Sequence, residues 1–322
     1  MSSIRESVRH ILFPKTRDEL EMMIRNEIRK QGNNADLNHI DVSGIEDFSG
    51  LFKDSNFNGD ISEWDVSHAV NMSSMFEKSM FDGDISGWDV SNVTDMSSMF
   101  YSNASFSGDI SEWDVSNVTD MHDMFCGAGS FHSDLSGWDV SNVTDMSFMF
   151  AWSKFNGDVS YWDVRNVKDM SYMFSRCPFN GRLKIWNVKN VTCMQNMFEF
   201  NTEFNQDISK WNVSNVKNMH HMFKNTTFNQ DISKWDVSNV ENMDGMFEES
   251  VFNQDISEWD VSNVTLMRWM FDKAAFCQDI SRWDVSNVRN AINMFGHNNC
   301  PAEWQPKFRT IQIYTKQHSH HG

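Results

Sequence analysis

Two columns of acidic residues recur along the chain and are the side chains best suited to chemistry. The first column lies directly after a repeated tryptophan and comprises Asp65, Asp89, Asp114, Asp139, Asp163, Asp236, Asp260 and Asp284, with Asn187 and Asn212 at the same position. The second runs from Asp60 to Asp279 and is interrupted by Arg182. Stacked carboxylates about 5 Å apart repel, so they need N–H donors, cations or water beside them. The columns therefore predict either backbone hydrogen bonding or calcium binding.

The exchange of aspartate for asparagine in the first column favours hydrogen bonding. An amide oxygen still accepts from backbone N–H groups in a turn, whereas a calcium ligand would lose its charge. The glycine-rich nonapeptide of calcium-binding β-rolls is also absent from the sequence. We expect a structural role for both columns, no metal site and no cofactor, and leave calcium binding by the columns open.

Sequence patterns of known catalytic sites are missing. The chain contains no P-loop, no G-x-S-x-G and no H-E-x-x-H. Its serines and aspartates belong to a repeat, and His122, His220 and His221 occupy variable positions. We therefore expect no catalytic residues and a protein that is not an enzyme.

One phrase, F-N-x-D-I-S-x-W-D-V-S-N-V-x-x-M-x-x-M-F, recurs every 24 or 25 residues and must position these columns. Its tryptophans are Trp64, Trp88, Trp113, Trp138, Trp162, Trp186, Trp211, Trp235, Trp259 and Trp283. A degenerate copy precedes them, with Ile40 in the tryptophan position. One copy cannot bury its own apolar side chains, whereas stacking on equivalent residues of neighbouring copies can. The ten tryptophans are therefore predicted to form a buried structural ladder.

Each copy is predicted to contain two short elements. D-I-S-x-W-D-V is expected to form a short strand followed by a bend. V-x-x-M-x-x-M-F places its apolar residues on one stripe of a short helix or 3-10 turn. The asparagine four residues after nine of the ten tryptophans fits either an internal ladder or the start of that helix. The predicted fold class is a repeat solenoid of one degenerate and ten clear copies over residues 36–295.

The two ends differ from the repeat and are predicted to cap it. Residues 1–35 are expected to form an N-terminal helical cap, with Thr16 as N-cap and Gly32 at the stop. Residues 296–322 are expected to form a C-terminal cap, to which Trp304 and Phe308 contribute, and a flexible tail.

Composition limits the partners and the compartment. The formal net charge is −18, which disfavours nucleic acid and anionic membrane surfaces. No stretch of the sequence is long and apolar enough to predict membrane insertion. The N-terminus lacks the pattern of a secretion signal or lipid anchor. Five scattered cysteines argue against a disulfide framework. These features are typical of a cytoplasmic or virion protein, although localisation stays open.

The words "NVTDMSSMF" and "FNGDISEWDVS" resemble the repeat of the BspA-like bacterial surface proteins, across roughly residues 36–295. The resemblance implies a leucine-rich-repeat-like solenoid and a role in adhesion or protein interaction, and it suggests a cell-surface location. It provides no enzymatic residues. The missing export signals depart from the surface members of that family.

Positions where the copies disagree are the candidates for binding. In the middle copies these positions become apolar, and the candidate patch comprises Phe148, Trp152, Tyr161, Tyr172 and Ile185. Clustered exposed aromatic residues on a polar repeat are typical of a binding surface. We predict a non-enzymatic scaffold for a protein partner, with self-association possible. The alternatives are a glycan-binding protein or an architectural component of a larger assembly.

Overall fold

Hydrogen bonds between successive repeats organise the chain, and each repeat forms one coil. The computed structural model describes residues 11–308. Within that range the regular elements are helix α1, Arg17–Gln31, and a 3-10 helix, Ala302–Trp304. The coils themselves consist of turns joined by isolated parallel bridges. One series of bridges passes through Asp47, Asn71, Asp95, Asp120, Asp145, Asp169, Cys193, Asn218, Asn242, Leu266 and Asn290.

The limb of each coil that carries the two methionines and the phenylalanine, here the Met–Phe limb, forms the backbone ladder. Carbonyl oxygens one repeat later accept hydrogen bonds of 2.7–3.1 Å from the N–H groups of Met96, Ser98, Phe100 and Ser102. The N–H groups between them close turns inside the coil, such as Met99 to the Met96 oxygen at 3.2 Å. Every second residue therefore bonds to the next coil, as in a strand.

This arrangement corrects the prediction of a short helix or 3-10 turn in each coil. Ser98 and Ser102 have φ angles of 55° and 52°, a left-handed conformation that ends any right-handed helix. A helix would also direct its N–H groups along its own axis, whereas half of these groups bond to the neighbouring coil. The apolar residues are buried together as predicted, but the backbone that carries them is a series of turns.

The limb containing D-I-S-x-W-D-V, here the tryptophan limb, is not the predicted strand. Its backbone N–H groups are used within the coil: that of Trp88 donates to the Ile85 oxygen at 3.2 Å, and that of Val93 to the Val90 oxygen at 2.9 Å. The Ser86 N–H donates to Asp84 Oδ1 at 3.0 Å. With these donors occupied, side chains provide much of the connection between coils on this limb.

Two side-chain ladders make that connection. In all ten copies the tryptophan Nε1–H donates to a carbonyl oxygen of the preceding coil at 2.8–3.2 Å. The asparagine four residues later also donates backwards, as Asn92 Nδ2 does to the Ser67 oxygen at 2.8 Å. Of the two predicted roles for this asparagine, the structure shows the ladder.

Aromatic rings stack along the core between the limbs. Phe76, Phe100 and Phe125 follow one another with centroids 5.5 and 5.7 Å apart. Trp211 and Trp235 stack at 6.3 Å with planes 3° apart. All ten repeat tryptophans are at most 5% exposed, so the ladder is an internal feature. Assignment of the array to leucine-rich-repeat-like solenoids stays a prediction.

Helix α1 packs against the first coils. The Glu19 N–H donates to Thr16 Oγ1 at 3.2 Å, and the Gly32 N–H donates to the Ile28 oxygen at 2.8 Å. Leu20 and Ile24 are buried in the same core as the repeats. The helix bounds therefore agree with the predicted start and stop.

At the other end, Phe308 packs partly buried against the core, whereas Trp304 is 38% exposed. The predicted tail lies mostly in residues 309–322, outside the described residues. The predicted boundaries of the caps stay predictions.

Candidate functional site

Two positions in each Met–Phe limb adopt left-handed backbone conformations and carry the variable side chains. The first lies between the two methionines and is occupied by Ser74, Ser98, Asp123, Phe148, Tyr172, Asn196, His221, Gly245, Trp269 and Asn293. The second, four residues later, is occupied by Lys78, Ser102, Gly127, Trp152, Arg176, Phe200, Asn225, Glu249 and Lys273. Since these side chains differ between coils, the backbone conformation belongs to the repeat and the side chains are exchangeable.

In the middle coils these positions carry a run of aromatic and arginine side chains, here the aromatic ridge. It comprises Phe148, Trp152, Tyr172, Arg176 and Phe200. The Phe148 and Tyr172 rings stack with centroids 4.2 Å apart and planes 8° apart. Trp152 stacks on Phe148 at 6.3 Å, and the Arg176 guanidinium lies 4.0 Å from the centre of the Phe200 ring. Trp152 is 49% exposed, so the ridge presents ring surface to solvent.

Sequence reasoning identified three of these residues for the patch and missed Arg176 and Phe200. Both lie in the column of Trp152, at steps of 24 residues. This 24-residue spacing is the sequence feature that could have placed Arg176 and Phe200 in the patch. The prediction followed apolar side chains only, and Arg176 interrupts that apolar pattern.

The predicted single patch forms two surfaces. Tyr161 and Ile185, 80% and 65% exposed, line a cavity of about 610 Å³ beside the tryptophan limb. A different cavity, of about 450 Å³, adjoins Phe148 and Trp152 on the Met–Phe limb. The two cavities share no lining residue. Phe148, Trp152 and Tyr172 are therefore brought together, whereas Tyr161 and Ile185 belong elsewhere.

The aspartate columns make the predicted turn hydrogen bonds. Asp89 Oδ1 accepts from the Ser91 N–H at 3.1 Å, and Asn212 Oδ1 accepts from the Ser214 N–H at the same distance. Hydrogen bonds from Ser67 lower the pKa of the Asp65 carboxyl below its ordinary value. Among residues 11–308, no three His, Cys, Asp or Glu side chains are grouped closely enough to hold a metal ion.

A polar cluster surrounds the two adjacent histidines. His220 Nε2 lies 2.8 Å from His221 Nδ1, and Lys224 Nζ lies 2.9 Å from Glu248 Oε2. Burial, with His220 and Lys224 nearby, lowers the pKa of His221 to about 3. Glu248 Oε2 lies 3.2 Å from His221 Nε2, but these two atoms do not form a hydrogen bond. His221 is therefore a neutral packing residue at physiological pH.

The five cysteines, all within residues 11–308, are free thiols. Burial raises the pKa of Cys177 to about 12, and Cys126 responds in the same way. Such thiols are protonated and weakly nucleophilic.

Regular coils with an exchangeable outer column define this chain as a repeat protein. It belongs to the family described as Mycoplasma protein of unknown function, DUF285, whose model matches residues 19–136, 77–180, 151–251 and 225–305. These overlapping matches fit a repeat family of the BspA-like kind, while that narrower name stays a prediction. No curated protein and no solved structure matches the chain. Among residues 11–308, no helix combines the length and apolar character needed to cross a membrane.

Proposed function

We propose that this protein is a non-enzymatic interaction scaffold that binds a protein partner through the aromatic ridge. The observation that carries the proposal is the stacked Phe148, Tyr172 and Trp152 rings, which lie outside the core on consecutive coils. Membership of a repeat family supports a surface or interaction protein at the coarser level. We further propose the BspA-like assignment, a leucine-rich-repeat-like solenoid and a role in adhesion.

The chemistry of the ridge favours a protein partner. Tyrosine, tryptophan and arginine dominate the energetically important positions of protein interfaces. Their large, rigid surfaces lose little conformational entropy on binding. Stacking holds Phe148 against Tyr172 before any partner arrives, and burial raises the pKa of the Tyr172 hydroxyl. A preorganised surface of this kind reduces the ordering cost of association.

The test exchanges ridge residues for residues that the same column carries in other coils. Phe148→Ser and Tyr172→Ser introduce the side chain of Ser74 and Ser98, which adopt the same φ near 55°. We expect the double variant to lose partner capture in a quantitative pull-down from extracts of the source organism, with an unchanged melting temperature.

The matched control is Trp269→Ser, the same column in a distant coil. It removes an exchangeable aromatic residue that packs under Arg268, 5.0 Å from its ring, without altering the ridge. Capture should persist in this control. Equal capture by wild type and the ridge variant would contradict the proposal.

The remaining candidate functions predict different readouts of the same variants. A glycan-binding protein would give glycan-array signals that disappear with Phe148→Ser and Tyr172→Ser. An architectural component would form ordered assemblies of the purified chain, visible by mass photometry. Either result in place of ridge-dependent protein capture would replace the proposed function.

A further inference from the structure

The cavity beside Tyr161 and Ile185 exists because the repeat changes there. One position of the phrase is glycine in five of the six early coils, including Gly157 and Gly181, serine at Ser133, and glutamine from Gln206 onwards. In the later coils the glutamine amide donates to the preceding coil, as Gln230 Nε2 does to Asn205 Oδ1 at 3.1 Å. The glycine coils have no such amide, because the phenylalanine ring two residues earlier lies where a Cβ would stand, 2.8 Å from it at Gly157. The cavity of about 610 Å³ lies at this boundary, over Gly157 and Gly181 and beside Gln206.

The coil that contains Gly181 and Ile185 lacks a hydrogen bond that nine other coils make. In those coils a serine N–H donates to an aspartate two residues earlier at 2.9–3.0 Å. Here Arg182 replaces the aspartate and Lys184 replaces the serine, and both side chains line the cavity. The turn therefore loses its acceptor and gains two cations.

One of these cations is held in an ion pair and the other is not. Lys184 Nζ lies 2.6 Å from Asp207 Oδ2 in the next coil, and hydrogen bonding by Lys184 holds the pKa of Asp207 well below its usual range. Within residues 11–308, Arg182 forms no ion pair shorter than 4.0 Å, although hydrogen bonds from Ser160 and then the nearby charge of Arg182 lower the pKa of Asp158. Asp158, which also lines the cavity, already accepts a hydrogen bond from the Ser160 N–H at 2.9 Å.

The chain segment that forms most of the cavity opposes the charge of the whole protein. Residues 154–190 contain seven basic side chains and three acidic ones, a local net charge of +4 in a chain of −18. The basic residues are Lys154, Arg165, Lys168, Arg176, Arg182, Lys184 and Lys189. Arg182 and Lys184 line the cavity itself, whereas Arg176 lies on the aromatic ridge. An anionic ligand repelled by the rest of the surface is therefore attracted to this segment.

We propose that this cavity binds an acidic peptide segment of a partner protein, with a carboxylate on Arg182 and an apolar side chain between Tyr161 and Ile185. The guanidinium can hold a carboxylate by two parallel hydrogen bonds. The volume lies within the range of about 300–1,000 Å³ that ligand pockets occupy. An aliphatic wall at Ile185 suits a peptide side chain better than a sugar, which stacks on aromatic faces. The site is separate from the aromatic ridge and extends the proposed function to a second surface.

The test uses a fluorescein-labelled octapeptide of alternating glutamate and leucine, with a glutamine–leucine octapeptide as the neutral probe. Fluorescence anisotropy measures the affinity of each for the full chain. The first variant, Arg182→Asp with Lys184→Ser, restores the turn of the other coils. The second, Tyr161→Gly with Ile185→Gly, introduces the residue that Gly87 and Gly137 provide at that position. Both variants use residues that the repeat already accommodates, so we expect them to fold.

We expect the acidic peptide to bind wild type and to bind the cation variant about tenfold more weakly or worse. The apolar variant should bind several-fold more weakly, and added salt should weaken wild-type binding. The matched control, Lys234→Glu with Arg282→Ser, makes the same change in net charge on other coils and should stay within about twofold of wild type.

Three outcomes would overturn the inference. They are equal binding of the neutral and acidic peptides, an equal loss in the control and the cation variant, and cavity-dependent binding of an oligouronate in place of the peptide. Ridge variants should bind the octapeptide normally. A failure of this inference can therefore be told apart from a failure of the proposed function.

Discussion

Each repeat tryptophan has two roles that single substitutions can separate. Its ring fills the core, and its indole N–H connects one coil to the preceding one. Trp138, for example, is 4% exposed and donates to the Ile110 oxygen at 3.1 Å. Ile110 is itself buried, so a lost donor is not readily replaced by water.

Trp138→Phe should lower the free energy of unfolding by about 1–3 kcal/mol, since it removes a buried hydrogen bond and part of the ring volume. Urea denaturation followed by circular dichroism measures the change. Trp152→Phe, on the surface, should alter stability by less than about 0.5 kcal/mol. A comparable loss of unfolding free energy in both variants would contradict a stabilising role of the buried indole hydrogen bond.

Turns, rather than helices or strands, are the elements of the coils, and aspartate side chains hold many of them. Asp65 accepts from the Ser67 N–H at 3.1 Å, and Asp260 accepts from the Ser262 N–H at 3.0 Å. In both cases the serine lowers the pKa of the carboxyl, with its side chain as the largest cause. A carboxyl whose pKa is lower in the folded chain than in the unfolded chain stabilises the fold when it is ionised.

Acid should therefore weaken the array in a defined direction. Stability is fully present above the unfolded aspartate pKa of about 4 and should decrease as the pH falls further, through the lowered folded values. Melting temperatures between pH 7 and pH 2 test this expectation. The double variant Asp65→Asn, Asp260→Asn should show a shallower decrease, because Asn187 and Asn212 demonstrate that an amide can occupy the column. An identical pH profile would refute the role of these carboxyls.

The periodic sequence was sufficient to predict the interior, but not the path of the backbone. Trp64, Val66 and Met72 recur in one register, so their burial followed from repetition alone. The short helix or 3-10 turn predicted over Val93, Met96, Met99 and Phe100 was wrong, because a spacing of three also fits consecutive turns. Residue spacing does not reveal which N–H groups bond to a neighbouring coil.

The candidate site was predictable to a similar degree. Exposure of Trp152 and Tyr161 followed from their variable columns. Their separation onto two surfaces depended on the turns between them, which the sequence alone did not specify. The cavity over Gly157 and Gly181 was missed because it depends on side chains that are absent, and absence leaves no apolar or charged pattern to detect.

Across the whole molecule, each coil contacts its neighbours through equivalent atoms. Phe198, Phe223 and Phe247 stack at 5.7 and 5.8 Å, and the same contacts recur along the chain. Stability should then depend on the number of coils and on the interfaces between neighbours, as in other repeat proteins.

Deletion of residues 205–228, one complete 24-residue coil, should leave a folded protein, since Phe204 would then precede Asn229 in the same register. We expect a cooperative melting transition only a few degrees below that of the full chain. Deletion of residues 205–216 removes half a coil and should abolish cooperative melting, because every column then shifts. Similar melting of both deletions would contradict the nearest-neighbour description.

The hydrogen bonds also give the array a direction. In the Met–Phe limb, N–H groups such as that of Phe100 donate towards the C-terminus, to the Met124 oxygen. The indole of Trp113 and the amide of Asn117 donate towards the N-terminus. The top and bottom of a coil therefore present complementary, unlike patterns of donors and acceptors. Coils stacked head to tail continue these patterns, whereas a head-to-head pair of coils would place donors of one limb against donors, or acceptors against acceptors. The coils therefore stack with one polarity.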